Sequence, residues 1–217
     1  ADICSPDFPG QENFWRAALD VCAAGVLLGS RYADAARQQA ADAVDPEEQQ
    51  RLQLLAQLCD QVPARGAQTL HEAAQSLWLA HILTCGEDSI NANSIGRLDQ
   101  LLQPYYAADL AAGRLTRPEA VELMTELACK LYLDYDVQAI VLGGMDSDGA
   151  DAVNDMSYII LEATRDAGFV RDVSLRLSRR SPQAFIDLAA AMIARGGGIP
   201  FLFNDETSGL TAPETTN

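Results

Sequence analysis

Val137-Gln138-Ala139-Ile140-Val141-Leu142-Gly143-Gly144 opens the part of the chain whose reading decides the fold. Its β-branched and apolar residues favour a pleated strand, and the two glycines end it. A polar loop follows, and helical spacing then runs from about Ala150 to Ala167. Val173 to Leu177 alternates apolar with polar or charged residues, the period of a half-buried strand. Ser181-Pro182 starts a helix predicted through Ile193, Gly196-Gly197-Gly198 breaks it, and Pro200 to Phe203 reads as another short strand. Strand, helix, strand, helix, strand is the order of parallel βαβ units. So few strands cannot close a barrel. The sequence therefore predicts an α/β fold with a partial parallel sheet, its missing partners lying beyond residue 217.

Upstream the chain is predominantly helical. From Glu12 to about Ala43, Phe14, Leu19, Val21, Cys22, Val26, Leu27 and Tyr32 recur with near-helical spacing, and Ala17 to Leu28 reads as a buried helix. Asp45 is a plausible N-cap, with Pro46 at the first helical position and Glu48 placed for a capping box. That helix carries Leu52, Leu55 and Leu58 on one face and stops near Pro63. A third helix starts at Thr69, with Glu72 three residues on, and is expected to bury Leu70, Ala73, Ala74, Leu77, Trp78 and His81. Gly96 to Gly113 holds another, with Gly113 as its C-cap. Thr116-Arg117-Pro118-Glu119 is a further capping box, opening a helix to about Leu133. The segment 207–217 is polar, lacks periodicity and reads as a tail unmatched to the 1–206 domain.

Composition narrows the function classes. A 48% hydrophobic content over 217 residues fits a globular protein with a real core. No run is long and apolar enough for a membrane span. A net charge of −16 argues against nucleic acid and against anionic membranes, both of which need clustered Lys and Arg. The chain does not begin with Met and shows no basic leader, which reads as a fragment or a processed chain without a targeting signal, and the expected location is cytoplasmic. The five cysteines, Cys4, Cys22, Cys59, Cys85 and Cys129, include no C-x-x-C pair. Four lie in apolar helical patterns, so reduced, buried thiols are expected, with no catalytic cysteine among them. A zinc site is not expected, because His71 and His81 have no ligand-spaced partner.

Several motifs admit both a functional and a structural reading. Gly143-Gly144 and Gly196 to Gly198 fit neither phosphate-binding glycine pattern, so close backbone packing at strand ends is the expectation. Asp146, Asp148 and Asp151 resemble a calcium loop, but Gly149 falls at its fourth position and Ser157 at its twelfth. Helix capping by Asp148 or Asp151 is favoured instead. His81, on an apolar face with Leu77 and Trp78, reads as a hydrogen-bonded core histidine. Asn91 is an ordinary turn residue on physical grounds.

Four phrases in fixed order resemble the glycyl radical enzymes, the family of pyruvate formate-lyase and the radical dehydratases. Thr69 to Trp78 resembles the family helix bearing HEALQSFW. Ser94-Ile95-Gly96-Arg97-Leu98-Asp99-Gln100 resembles SxGRxDQ, and Gly113 to Ala120 resembles EGRLTxEEA. Pro200-Phe201-Leu202-Phe203-Asn204-Asp205 resembles PxxFND. The likeness runs from about Glu12 to Glu206 and points to the dehydratase and decarboxylase branches more than to pyruvate formate-lyase itself.

The resemblance implies a large ten-stranded α/β barrel, of which this chain is the N-terminal-to-middle part. It implies a lyase, dehydratase or decarboxylase of anaerobic metabolism that cleaves a carbon–carbon or carbon–heteroatom bond of a small molecule. The parent would use a glycyl radical installed by an S-adenosylmethionine iron–sulfur activase and would be a homodimer. The catalytic Cys loop and the glycyl radical loop lie outside the 217 residues, so the chain by itself is expected to be inactive and to bind no cofactor. Within it the resemblance places Asn91, Ala92 and Phe203 on the substrate pocket. Asn91-Ala92 stands where radical dehydratases have a His-Ser pair, which counts against a glycerol- or propanediol-type substrate. A core role for Phe203 is the competing reading. The alternative for the whole chain is a non-catalytic helical scaffold derived from the same fold.

Overall fold

A computed structural model describes residues 11–88, 93–133, 139–168 and 172–207. The chain divides into two compact units, 1–87 and 88–217.

The first unit holds α1 (Glu12–Asp42), α2 (Pro46–Gln61) and α3 (Leu70–Asp88). Asp45 caps α2 by accepting from Glu47 N at 3.1 Å. Glu48 does not close the expected capping box. It binds Arg51 through both oxygens at 2.7 and 2.8 Å, a hydrogen-bonded pairing that lowers its carboxyl pKa. Thr69 Oγ1 accepts from Glu72 N at 3.2 Å, while the Glu72 carboxylate reaches back to Gln68 N at 2.7 Å. Leu79 of α3 joins Ala33 and Cys59 in a core flanked by Leu28, Leu55 and Ile82. His81 is buried and stacks on Trp78, with centroids 5.9 Å apart.

The packing of α1 overturns the expected buried helix. Its buried stripe is Gly25, Gly29, Ala33, Ala36 and Ala40. Phe14, Leu19, Val21, Val26, Leu27 and Tyr32 are exposed, and so is Cys22, which was expected to be buried. The physical reason is the closeness of approach. A Cβ at Gly29 would stand 2.9 Å from Pro63 Cδ and 3.1 Å from the carbonyl oxygens of Cys59 and Val62. Only small residues fit along that line, so the bulky ones are left on the flanks. Gly29→Leu is expected to destabilise this unit by about 3 kcal/mol, because backbone carbonyls cannot move aside cheaply. Gly86→Ala, with no neighbour within 4 Å, should be neutral or slightly stabilising. Urea unfolding followed by circular dichroism separates the two.

The second unit holds α4 (Leu98–Ala111), α5 (Arg117–Leu133), β1 (Ile140–Gly143), α6 (Asp155–Ala167), β2 (Val173–Leu177), α7 (Gln183–Ala194) and β3 (Phe201–Asn204). Gly113, at φ +66°, closes α4: its N–H reaches Leu110 O and that of Arg114 reaches Asp109 O, which satisfies two terminal carbonyls. Thr116 and Glu119 form the expected capping box, with Thr116 N to Glu119 Oε2 at 2.7 Å. The cap of α6 is Asn154 with Ser157, not Asp148 or Asp151. Asp146 instead takes the N–H groups of Asp148 and Ala150, and Asp151 takes that of Val153.

The sheet is parallel throughout, in the order β1-β2-β3. Gly96 extends it by one bridge to Ile140 on the β1 side. Ile140, Leu142, Val173 and Leu175 share the buried face. Val141, Ser174 and Arg176 are half-buried on the other, alongside the exposed Phe201 and Phe203. All of β3 is exposed. The two glycine clusters differ. Gly143 and Gly144 are packed against backbone and side chains, as expected, whereas Gly196, Gly197 and Gly198 have nothing within 4 Å of their Cβ positions. The triple glycine serves a run of positive φ values in an open turn, not close packing.

Candidate functional site

The sequence phrases converge at the C-terminal ends of the strands, and they do so by gripping one another. Arg97 Nη2 donates to Gly143 O at 3.0 Å, and Gly143 N donates to Asp99 Oδ2 at 2.7 Å. The Gly96-to-Gln100 phrase thus takes hold of both backbone groups of the last β1 residue. Asp99 is fully buried and also accepts from Ser157 Oγ at 2.6 Å and from Gln100 N at 2.7 Å. Gln100 Nε2 reaches Ala152 O, and Gln103 Oε1 receives Met156 N, which ties the start of α6 to α4.

The third phrase closes the turn from its other side. Asp205, just past β3, is buried and accepts from Met145 N at 2.7 Å and from Arg176 Nε at 2.7 Å. Arg176 stands in register with Gly143 on β1 and Phe203 on β3. Gly144, at φ +92°, has no room for a side chain: a Cβ would lie 2.8 Å from Asp205 Oδ2 and 2.9 Å from Arg176 Cβ. Glu206 takes Arg179 N at 3.0 Å. Asp151 lies in the loop after β1, and burial raises its carboxyl pKa against the opposing hydrogen bonds from Val153 and Ser181. Tyr158 is raised too, first by burial and then by the Asp151 charge. Among the described residues no group of three His, Cys, Asp or Glu side chains is gathered to hold a metal ion.

Phe203 is 54% exposed on β3, so it is not a core residue in this structure. Asn91 and Ala92 lie outside the described residues. Sequence reasoning missed Asp99, Arg176 and Asp205 as site-building residues. One signal was available: the alternation of β2 puts Arg176 on the face of Ser174, opposite Val173 and Leu175. The pairing of Arg176 with a carboxylate 29 positions later had no local signature.

The pyruvate formate lyase-like family profile matches residues 2–209. The chain belongs to this family. Trans-4-hydroxy-L-proline dehydratase of Clostridioides difficile is 36% identical to this pyruvate formate lyase-like chain over 205 residues, 85% of the chain and 26% of the relative. Isethionate sulfite-lyase of Nitratidesulfovibrio vulgaris is 33% identical over 94% of the chain and 27% of the relative. Among solved structures, one from Roseburia inulinivorans that dehydrates 1,2-propanediol superposes with a TM-score of 0.87 at 29% identity, over 98% of the chain and 29% of that structure. A glycyl radical enzyme of Archaeoglobus fulgidus gives 0.84 at 30% identity, over 90% and 27%. The chain spans about a quarter of the length of the curated relatives it matches, 26 and 27% of the two described. Membership in the glycyl radical enzymes and the partial α/β barrel are therefore established for this pyruvate formate lyase-like chain. Among the described residues no helix is long and apolar enough to cross a membrane.

Proposed function

We propose that this chain forms part of the substrate-chamber wall of a cytoplasmic glycyl radical lyase or dehydratase. The observation that carries the reading is the register row Gly143, Arg176 and Phe203, at the C-terminal strand ends where ligands of parallel α/β sheets bind. The interlocked phrases hold that row rigid, as a chamber wall requires. Residues 1–206 form one stretch of the barrel domain in this reading, with 207–217 as a tail. The parent is a homodimer that uses a protein glycyl radical, installed by an S-adenosylmethionine iron–sulfur activase, to break a bond in a small anaerobic metabolite.

Asn91, Ala92 and Phe203 border the substrate. An amide at Asn91 donates and accepts hydrogen bonds but is a poor proton shuttle, which disfavours simple polyols. In this reading the chain alone is inactive, lacking the family's catalytic Cys loop and glycyl radical loop; the position of its described cysteines on α1, α2, α3 and α5 supports it. Anaerobic incubation of the 217-residue chain with such an activase and S-adenosylmethionine tests this. Trans-4-hydroxy-L-proline, isethionate and glycerol are offered in turn. No glycyl radical resonance and no product are expected. A radical signal or turnover by this chain overturns the wall-only reading.

A further inference from the structure

We propose that Arg176 is an anion anchor that binds the carboxylate or sulfonate of a small ligand at the C-terminal end of the sheet. The inference rests on the chamber-wall reading and extends it to a ligand class.

The guanidinium is planar, permanently charged and carries donors on three nitrogens. Asp205 uses only one of them: its Oδ1 takes Nε, while its Oδ2 is occupied by Met145 N. Among the described residues the two terminal nitrogens of Arg176 have no hydrogen-bond partner. The Asp205 side chain is 2% exposed and that of Arg176 33%, so the carboxylate is out of reach of solvent while a third of the arginine side chain faces it. A buried carboxylate on Nε holds the group in one orientation, and its free Nη edge matches a second carboxylate or a sulfonate in a two-point hydrogen bond. Gly144 lets the pair pack directly against the turn after β1, since a Cβ there would stand 3.0 Å from Arg176 Nε and would displace it. Phe201 and Phe203 are exposed on the same face in adjoining register positions and supply an apolar wall for the ligand's body. The other arginines near these strand ends are occupied differently: Arg97 donates to Gly143 O, Arg179 pairs with Glu206, and Arg180 donates to Gly149 O.

The test is a titration of the 217-residue chain, labelled with nitrogen-15 in its arginines, at constant ionic strength. The ligands are acetate, methanesulfonate, phenylacetate and the neutral 1,2-propanediol. The Arg176 Nε–H signal should shift saturably with the three anions at millimolar concentrations and not with the diol. Phenylacetate should bind about tenfold more tightly than acetate, the worth of partly burying a ring. Phe203→Ala, at an exposed position that leaves folding intact, should remove that gain, and Arg176→Lys, which lacks the reporting group and is followed by isothermal titration calorimetry beside the wild type, should weaken all three anions at least tenfold. A linear, unsaturable shift, or equal binding by Arg176→Lys in a folded protein, overturns the anchor. The chamber-wall reading fails separately, by radical formation or turnover in the isolated chain.

Discussion

Asp99→Ala loses about 3–5 kcal/mol of the stability of the 88–217 unit. The estimate follows from what the carboxylate holds. Asp99 is 0% exposed and receives Gly143 N, Ser157 Oγ and Gln100 N, all at 2.7 Å or less. Gln100 N, in the first turn of α4, can turn to water, but Gly143 N belongs to a buried strand end. Removing the acceptor leaves that N–H unsatisfied and the Ser157 hydroxyl with only the long contact to Asn154 Oδ1 at 3.4 Å, at about 1–3 kcal/mol each. A whole domain is stable by only about 5–15 kcal/mol, so the loss is a large fraction of the total. Asp99→Asn should fall between, because one amide oxygen is retained while its NH2 faces other donors. Urea midpoints and hydrogen exchange at the Gly143 amide report the effect, with the exposed Asp166→Ala near zero as the comparison. A change under about 1 kcal/mol for Asp99→Ala would show that the clamp is decoration rather than a strut.

Gly144→Ala should be nearly as damaging, for two separable reasons. Its φ of +92° is strained for any L side chain, and its Cβ would enter the space of Asp205 Oδ2 and Arg176 Cβ at under 3.0 Å. The conformational part costs about 1–2 kcal/mol. The steric part adds about 1–3 kcal/mol, since the displaced Asp205 also holds Met145 N. Gly196→Ala isolates the first part: its φ is +94°, but nothing lies within 4 Å. The expected order of stability is therefore wild type, then Gly196→Ala, then Gly144→Ala. The Arg176 Nε–H signal should move only in Gly144→Ala. Equal losses in the two variants would mean that the Gly144 contact carries no steric cost.

Legibility in the sequence followed the range of the interaction. The caps at Asp45, Thr69, Gly113 and Thr116 were readable because partner and cap lie within a few residues. The second strand was placed without error at Val173–Leu177 by its period of two. The cap of α6 was misassigned because the loop before it offers several Asp residues and the Asn that does the capping looks no different locally. The α1 stripe was misread because bulky apolar residues outvote glycine and alanine in any count of hydrophobicity, whereas close helix approach selects the smallest residues. Phe203 is open between pocket and core in the sequence, and β3, the edge strand of the sheet, leaves it exposed in this structure.

What the sequence determined by itself was the family, the order of helices and parallel strands, and the glycine that ends α4 at Gly113. These are written in local periodicity, in turn residues and in phrases of fixed order. Only the tertiary structure decided that Arg97 and Asp99 clamp Gly143, that Asp205 orients Arg176, and that Gly144 keeps room beside them. Those contacts join residues 29 to 61 positions apart. No local pattern encodes them, because they exist only once the parallel strands are in register and their ends come together.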